Sequence, residues 1–240
     1  MIFMGKKGGN KKVKAINTPR TVFIKRKENV WSIKTKAGAH KKNSSVALGI
    51  VLRDYIKIAD SVKEIKQMLH AGEVKVNGAV KDNYQMGLGL FDTIDLDKQK
   101  VHARVVFDSN GRLILKDLKK PSNEKICRVE YKKTVAKGTQ LTTDDGRVLF
   151  GVKASVGDGL KIKLPEGKVM SVLPLQANAA VYIINGLHCA EKGKIKEIVL
   201  GTAKREKLIR FTNGKDVFET VARNAYVIGE GEAAIEDLKE

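Results

Sequence analysis

Fourteen lysines and arginines stand where one kind of chemistry is expected of them. Lys6, Lys7, Lys11, Lys12, Lys14, Arg20, Lys41 and Lys42 crowd the first 42 residues, and Arg53, Lys57, Lys63, Lys66, Lys75 and Lys81 follow at helical or strand spacing. Ammonium and guanidinium groups are pure donors with fixed positive charge, so at this density they suit neutralisation of phosphates. Up to Lys42 there are thirteen basic residues against the single acid Glu28, a net +12 of the chain's +19. Such a segment repels itself unless a polyanion supplies the counter-charge. After Ile228 the sign reverses, with Glu230, Glu232, Glu236, Asp237 and Glu240 facing only Lys239. A nucleic acid gripped mainly from the N-terminal side is the partner this asymmetry implies.

Other chemistries find no support. No catalytic residues are assigned, because the chain offers no paired acid and base, nucleophile elbow, Walker loop or Gly-x-Gly-x-x-Gly after a strand. Gly157-Asp158-Gly159 reads as a hairpin turn. His40, His70, His102 and His188 are scattered without ligand spacing, and Cys127 and Cys189 belong to no Cys-x-x-Cys pair. Neither a disulfide framework nor a zinc knuckle is expected, and both cysteines read as buried thiols. The expectation is therefore no metal, no cofactor and no small-molecule substrate. No apolar run approaches the roughly 20 residues of a membrane span. Met1-Ile2-Phe3-Met4 meets lysines at once, leaving no room for a secretory core, so a cytosolic protein away from membranes is expected.

The elements that must position the cations follow from periodicity. Residues 1–42 have few apolar side chains beyond Val22, Phe23, Ile24 and the Val30-Trp31-Ser32-Ile33 patch. They are expected to form an extension that orders on its partner, with Trp31 either packing on the next domain or stacking on a base. From Ser45, Leu48, Val51, Leu52, Tyr55, Ile58 and Ala59 recur at helical spacing and leave Arg53, Asp54 and Lys57 outward. A second helix opens with the capping box Ser61-x-x-Glu64, buries Val62, Ile65, Met68 and Leu69, and shows Lys63, Lys66 and His70. Gly72 is placed to end it in the left-handed conformation. Val74 and Val76 then alternate with Lys75, and Asn77-Gly78 signals a type I′ turn toward Val80. On this reading Arg53, Lys57, Lys63, Lys66, Lys75 and Lys81 share one contiguous cationic face.

Beyond Phe91 the pattern is β. Ile94 with Leu96, Val101 to Phe107, Leu113 to Leu115, Ile126 to Tyr131, Val148 to Val152 and Leu160 to Leu164 read as short strands separated by turn chemistry, which indicates a small antiparallel barrel or sandwich. After Pro174, hairpins through Ala180–Gly186, Gly193–Ile198, Leu208–Phe211 and Val217–Thr220 have the spacing of an SH3-like barrel. The fold class is α+β multidomain, divided into a basic extension (1–42), a helix-helix-strand domain (43–97), a central β domain (98–173), a C-terminal barrel (174–229) and an acidic tail (230–240). With 5% aromatic residues, stacking platforms of the RRM or OB kind are poorly supplied. Recognition through phosphates, 2′-hydroxyls and shape is favoured instead.

Leu52-Arg53-Asp54-Tyr55-x-x-Ile58-Ala59-Asp60-Ser61-x-x-Glu64, then Gly72-x-Val74-x-Val76-Asn77-Gly78 and Phe91-Asp92-x-Ile94, resembles the αL RNA-binding motif of ribosomal and rRNA-modifying proteins. The Gly186 to Ile195 turn resembles the KOW motif, with Ala190 where that pattern has glycine and Gly193 retained. Adding Gly38-x-His40-Lys41 and the closing Phe218-x-Thr220-x-x-x-Asn224-x-Tyr226-Val227-Ile228-Gly229-x-Gly231, nearly the whole chain is similar to the archaeal and eukaryotic small-subunit ribosomal protein of the S-four-e type, in its shorter, archaeal form. The resemblance implies a structural part in the small subunit of cytoplasmic ribosomes, small-subunit rRNA and neighbouring subunit proteins as partners, and no catalysis. The other reading is a non-ribosomal, RNA-associated KOW regulator of translation or transcription.

Overall fold

The computed structural model describes residues 12–136, 138–202, 205–214 and 216–235. Lys6, Lys7, Lys11 and the acids from Glu236 onward lie outside the described residues. The chain is mostly β, with nineteen strands and two α-helices among the described residues, the two that the periodicity predicts, the first of them shorter than expected. None of its described helices is long and apolar enough to cross a membrane.

The head is tied down from residue 12 onward. Strand β1 (Val13–Lys14) pairs antiparallel with β2 (Trp31–Ser32), closing a loop whose carbonyls at Ile16, Thr18 and Pro19 accept from the Arg26 guanidinium. Val22 is 4% exposed and joins the first core, while the Thr21 carbonyl accepts from Leu113 N–H. The extension expected to order on its partner is packed on the first unit over residues 12–42, where buried Ala15 and Val22, the partly buried Ile24 and Ile33 and a ladder of backbone bonds give it a defined path.

The first helical segment is short. After β3 (Val46–Ala47), helix α1 (Leu48–Ile50) runs into a widened turn over Val51–Tyr55, where Ile56 N–H reaches back five residues to the Val51 carbonyl. Lys57, with φ +60°, then breaks the spiral before Ile58 and Ala59, which the periodicity had placed inside it. Gly49 is used for proximity, since a Cβ there would lie 2.8 Å from Ile33 Cδ1 and 3.2 Å from the Tyr84 carbonyl oxygen. Helix α2 (Val62–His70) begins as its capping box requires: Ser61 Oγ accepts from Glu64 N–H, and the Glu64 carboxylate accepts from Asp60 N–H. It ends at Gly72 with φ +71°.

Strands β4 (Val74–Val76) and β5 (Ala79–Val80) form the expected hairpin, with positive φ at both Asn77 and Gly78. Short β6 (Gly87–Leu88) pairs with β3. Strands β7 (Thr93–Leu96), β8 (Val101–Phe107) and β9 (Leu113–Asp117) complete a sheet in the order β5-β4-β7-β8-β9. Two strands beyond the expected boundary at residue 97 therefore belong to the first unit, because β8 pairs with β7 and Leu113 packs in its core.

Strands β10 (Glu124–Val135), β11 (Gly138–Thr143), β12 (Val148–Phe150), β13 (Gly159–Lys163) and β14 (Lys168–Leu173) build the middle sheet, ordered β12-β11-β10-β13-β14. The last unit is a meander of β15 (Ala179–Ile183), β16 (Lys192–Val199), β17 (Leu208–Asn213) and β18 (Asp216–Val221), with β19 (Ala225–Glu230) returning to pair beside β15.

Buried charges join these units. Asp92, 1% exposed, accepts from Lys125 Nζ (2.7 Å), Asn77 Nδ2 (2.7 Å) and Gly89 N–H (2.7 Å), and pairs with His40 Nε2 (2.8 Å). Lys125 also meets Asp145 at 3.3 Å, and Tyr226 of the last unit donates to Asp144 at 2.9 Å. Burial alone would raise the Asp92 pKa, yet Lys125 and His40 hold it far below the usual carboxylate range. Gly89 permits the arrangement, since any Cβ there would overlap the His40 ring. Head, first sheet and middle sheet thus meet at one carboxylate.

Candidate nucleic-acid interface

The cations expected to share one face divide into groups that the fold treats differently. Arg53 is half-buried and bidentate to Asp54 (2.8 and 2.9 Å), which raises its pKa and spends its donor fork internally. Lys75, on β4, bonds Asp97 at the end of the neighbouring strand. Lys66 on α2 lies 5.2 Å from the Tyr84 ring centroid, and Lys41 reaches Glu130 at 3.6 Å while remaining 72% exposed. Lys14, Arg20, Lys42, Lys57 and Lys63 are exposed and have no ion-pair partner among the described residues, and Lys81 is half-buried after β5.

Tertiary folding adds cations that spacing did not single out. Arg112 follows the β8–β9 hairpin turn, and the backbone bond from Leu113 to Thr21 carries it to the head. There its guanidinium stacks 5.5 Å from the Phe23 ring centroid, and one cleft is lined by Arg20, Phe23, Arg26, Asn110 and Arg112. A second cleft, of about 490 Å³, shares Phe23 and Ile24 and adds Lys25, Trp31, Arg53 and Lys57. Phe23 is held in position by its N–H, which donates to Tyr55 Oη at 2.9 Å; burial pushes that phenol up to about 12. Lys12 Nζ lies 5.6 Å from the Trp31 ring. The structure therefore brings Lys12, Arg20, Arg53 and Lys57 beside Arg26 and Arg112 around these two clefts, whereas Lys63 and Lys66 stand on α2, Lys75 on β4 and Lys81 just after β5, outside the lining of either cleft. Arg112 had no signal in the sequence, because its neighbour in space lies some ninety positions away.

Among the described residues, Cys127, Asp144 and Asp145 place ligand-type atoms within 4.8 Å of one another. Their bonding is already internal: Asp145 accepts from Thr143, Lys125, Arg147 and Cys127, and Asp144 from Tyr226 and the Arg128 N–H. Burial raises the pKa of the Cys127 thiol, which disfavours the thiolate that a metal needs. His40, His102 and His188 each face a different carboxylate, at Asp92, Asp95 and Glu191. The cluster reads as the inner part of the junction around Lys125. Both cysteines are free and buried.

Comparison with known proteins agrees with this architecture. The model described as ribosomal family S4e matches residues 99–169, and that of the RS4NT domain matches residues 7–43. "Small ribosomal subunit protein eS4" of Methanocella arvoryzae is 32% identical over 229 residues, which is 95% of this chain and 97% of the relative. The protein of that name from Thermoplasma volcanium is 34% identical, covering 91% and 92%. The crystal structure of the 30S ribosomal protein S4e from Thermoplasma acidophilum superposes with a TM-score of 0.67 at 29% identity, over 79% of this chain and 97% of that one. Carried across nearly the full length of both partners, this likeness means that the chain belongs to the S4e family of ribosomal proteins.

Proposed function

We propose that the chain is a structural component of the small ribosomal subunit, binding rRNA through its head and first unit and catalysing no reaction. Its relatives along the whole chain are named small ribosomal subunit proteins. The observation that carries the rRNA contact is the convergence of Lys12, Arg20, Lys57 and Arg112 around Phe23 and Trp31 on a chain of net charge +19. The capped helix α2 and the Asn77-Gly78 hairpin act as an αL module, and the C-terminal meander acts as a KOW barrel that faces neighbouring subunit proteins. Small folded scaffolds presenting lysines recognise the shape of a structured RNA through phosphates and 2′-hydroxyls. The site of action is the cytoplasmic ribosome.

Sedimentation tests this reading. After a high-salt wash, the tagged full-length protein is expected to stay with small subunits in a sucrose gradient. Migration at the top of the gradient would instead identify a loosely associated regulator.

A further inference from the structure

We propose that the 490 Å³ cleft between the head and the first helical segment receives a single unpaired nucleobase, with the Trp31 indole as its stacking surface. This rests on the rRNA-binding reading above and names what one part of that surface recognises. Trp31 is the only tryptophan in the chain, and it is 52% exposed, with Phe23 at 54% on the same cleft. Folding has fixed the backbone that carries the indole and leaves about half of the side chain open, with Lys12 Nζ over the ring: β2 is held by β1 in the register Lys14 to Trp31, and the Ala15 N–H donates to the Val30 carbonyl. The volume lies within the roughly 300–1,000 Å³ of small-ligand pockets.

The charges in the cleft decide which part of a nucleotide enters. Lys25 pairs with Glu28 and Arg53 with Asp54, and the lining as a whole sets three cations against three carboxylates, so beyond the exposed Lys57 the interior offers little net attraction to a bare phosphate. A neutral, planar heteroaromatic ring with donors and acceptors on its edge suits such a lining. Phosphates on either side would meet Lys12, which lies over Trp31, and Arg20 and Arg112 in the adjoining cleft. An apolar protein anchor would have to desolvate Lys25, Arg53 and Lys57 without replacing their water contacts.

The single tryptophan provides the assay. Full-length protein is titrated with small-subunit rRNA and, separately, with heparin, a polyanion without bases, while tryptophan emission and filter retention are followed together. Quenching by rRNA and none by heparin is the expected result. Trp31→Leu should weaken rRNA binding about 5- to 150-fold, the span of one lost base stack, leave heparin binding unchanged, and be largely rescued by Trp31→Phe. Thermal melts identify any variant that has lost its fold, in which case the wild-type emission data decide. rRNA retention with emission no different from that in heparin overturns the base pocket while leaving the rRNA reading standing. Absence of rRNA retention at any salt would bring down both.

Discussion

The separation of internally bonded from unengaged cations can be tested through counterion release. Each phosphate contact contributes about 0.7–0.9 to the slope of log affinity against log salt. Lys14, Arg20 and Lys57 are exposed and have no ion-pair partner among the described residues, whereas Arg53 is held bidentate by Asp54. The triple variant Lys14→Gln/Arg20→Gln/Lys57→Gln should therefore flatten the slope by roughly 2–3, three contacts at that coefficient. Compared at equal salt, the loss of affinity should be about 100- to 500-fold near 0.1 M and shrink toward parity near 1 M. Arg53→Gln should leave the slope unchanged and instead lower the melting temperature, because Asp54 loses its partner. Filter binding of small-subunit rRNA across a salt series measures both. If Arg53→Gln flattens the slope while the triple variant does not, the division of the cations by their partners in the fold is wrong.

Other consequences concern the junction and the C-terminal unit. Lys125→Met should destabilise by about 3–5 kcal/mol in urea unfolding, since it strands Asp92 and Asp145 in the interior, and adding Asp92→Asn should recover a large part of that loss. Because the folded Asp92 pKa lies below its unfolded value, its stabilisation is fully present above about pH 5 and disappears as the carboxylate protonates on acidification. Urea midpoints should thus fall from pH 5 toward pH 3 in the wild type, and less steeply in Asp92→Asn; parallel curves would count against the assignment. Ala190 adopts φ +68°, a left-handed conformation that glycine takes without steric cost, so Ala190→Gly should raise stability by about 0.5–1 kcal/mol in the same assay.

Local signals translated directly into structure where neighbouring residues decide the outcome. The Ser61–Glu64 capping box, the stop at Gly72, the Asn77-Gly78 turn and β8 over Val101–Phe107 need only short-range sterics and hydrogen bonds. Strands β11 and β14 lie outside the sequence expectation because Gly138-Thr139-Gln140 and Lys168–Leu173, whose burial does not alternate, carry little hydrophobic period, and pairing with β10 and β13 fixes them instead. The first helix came out short for a similar reason. Close approach of Ile33 and Tyr84 at Gly49 and the left-handed Lys57 outweigh an apolar period that runs on to Ala59.

Composition and order along the chain were enough to establish a cationic, β-rich protein and to imply a polyanion as its partner, since net charge and alternation do not depend on how distant segments meet. Which cations remain available was decided only in three dimensions. Asp54 takes Arg53, Asp97 takes Lys75, and β9 delivers Arg112 to Phe23. Val22 and His40 turn a segment that looked free into part of the first core and of the junction at Asp92. Coulomb and packing energies act between neighbours in space, and a linear sequence leaves those neighbours unspecified until the chain has folded.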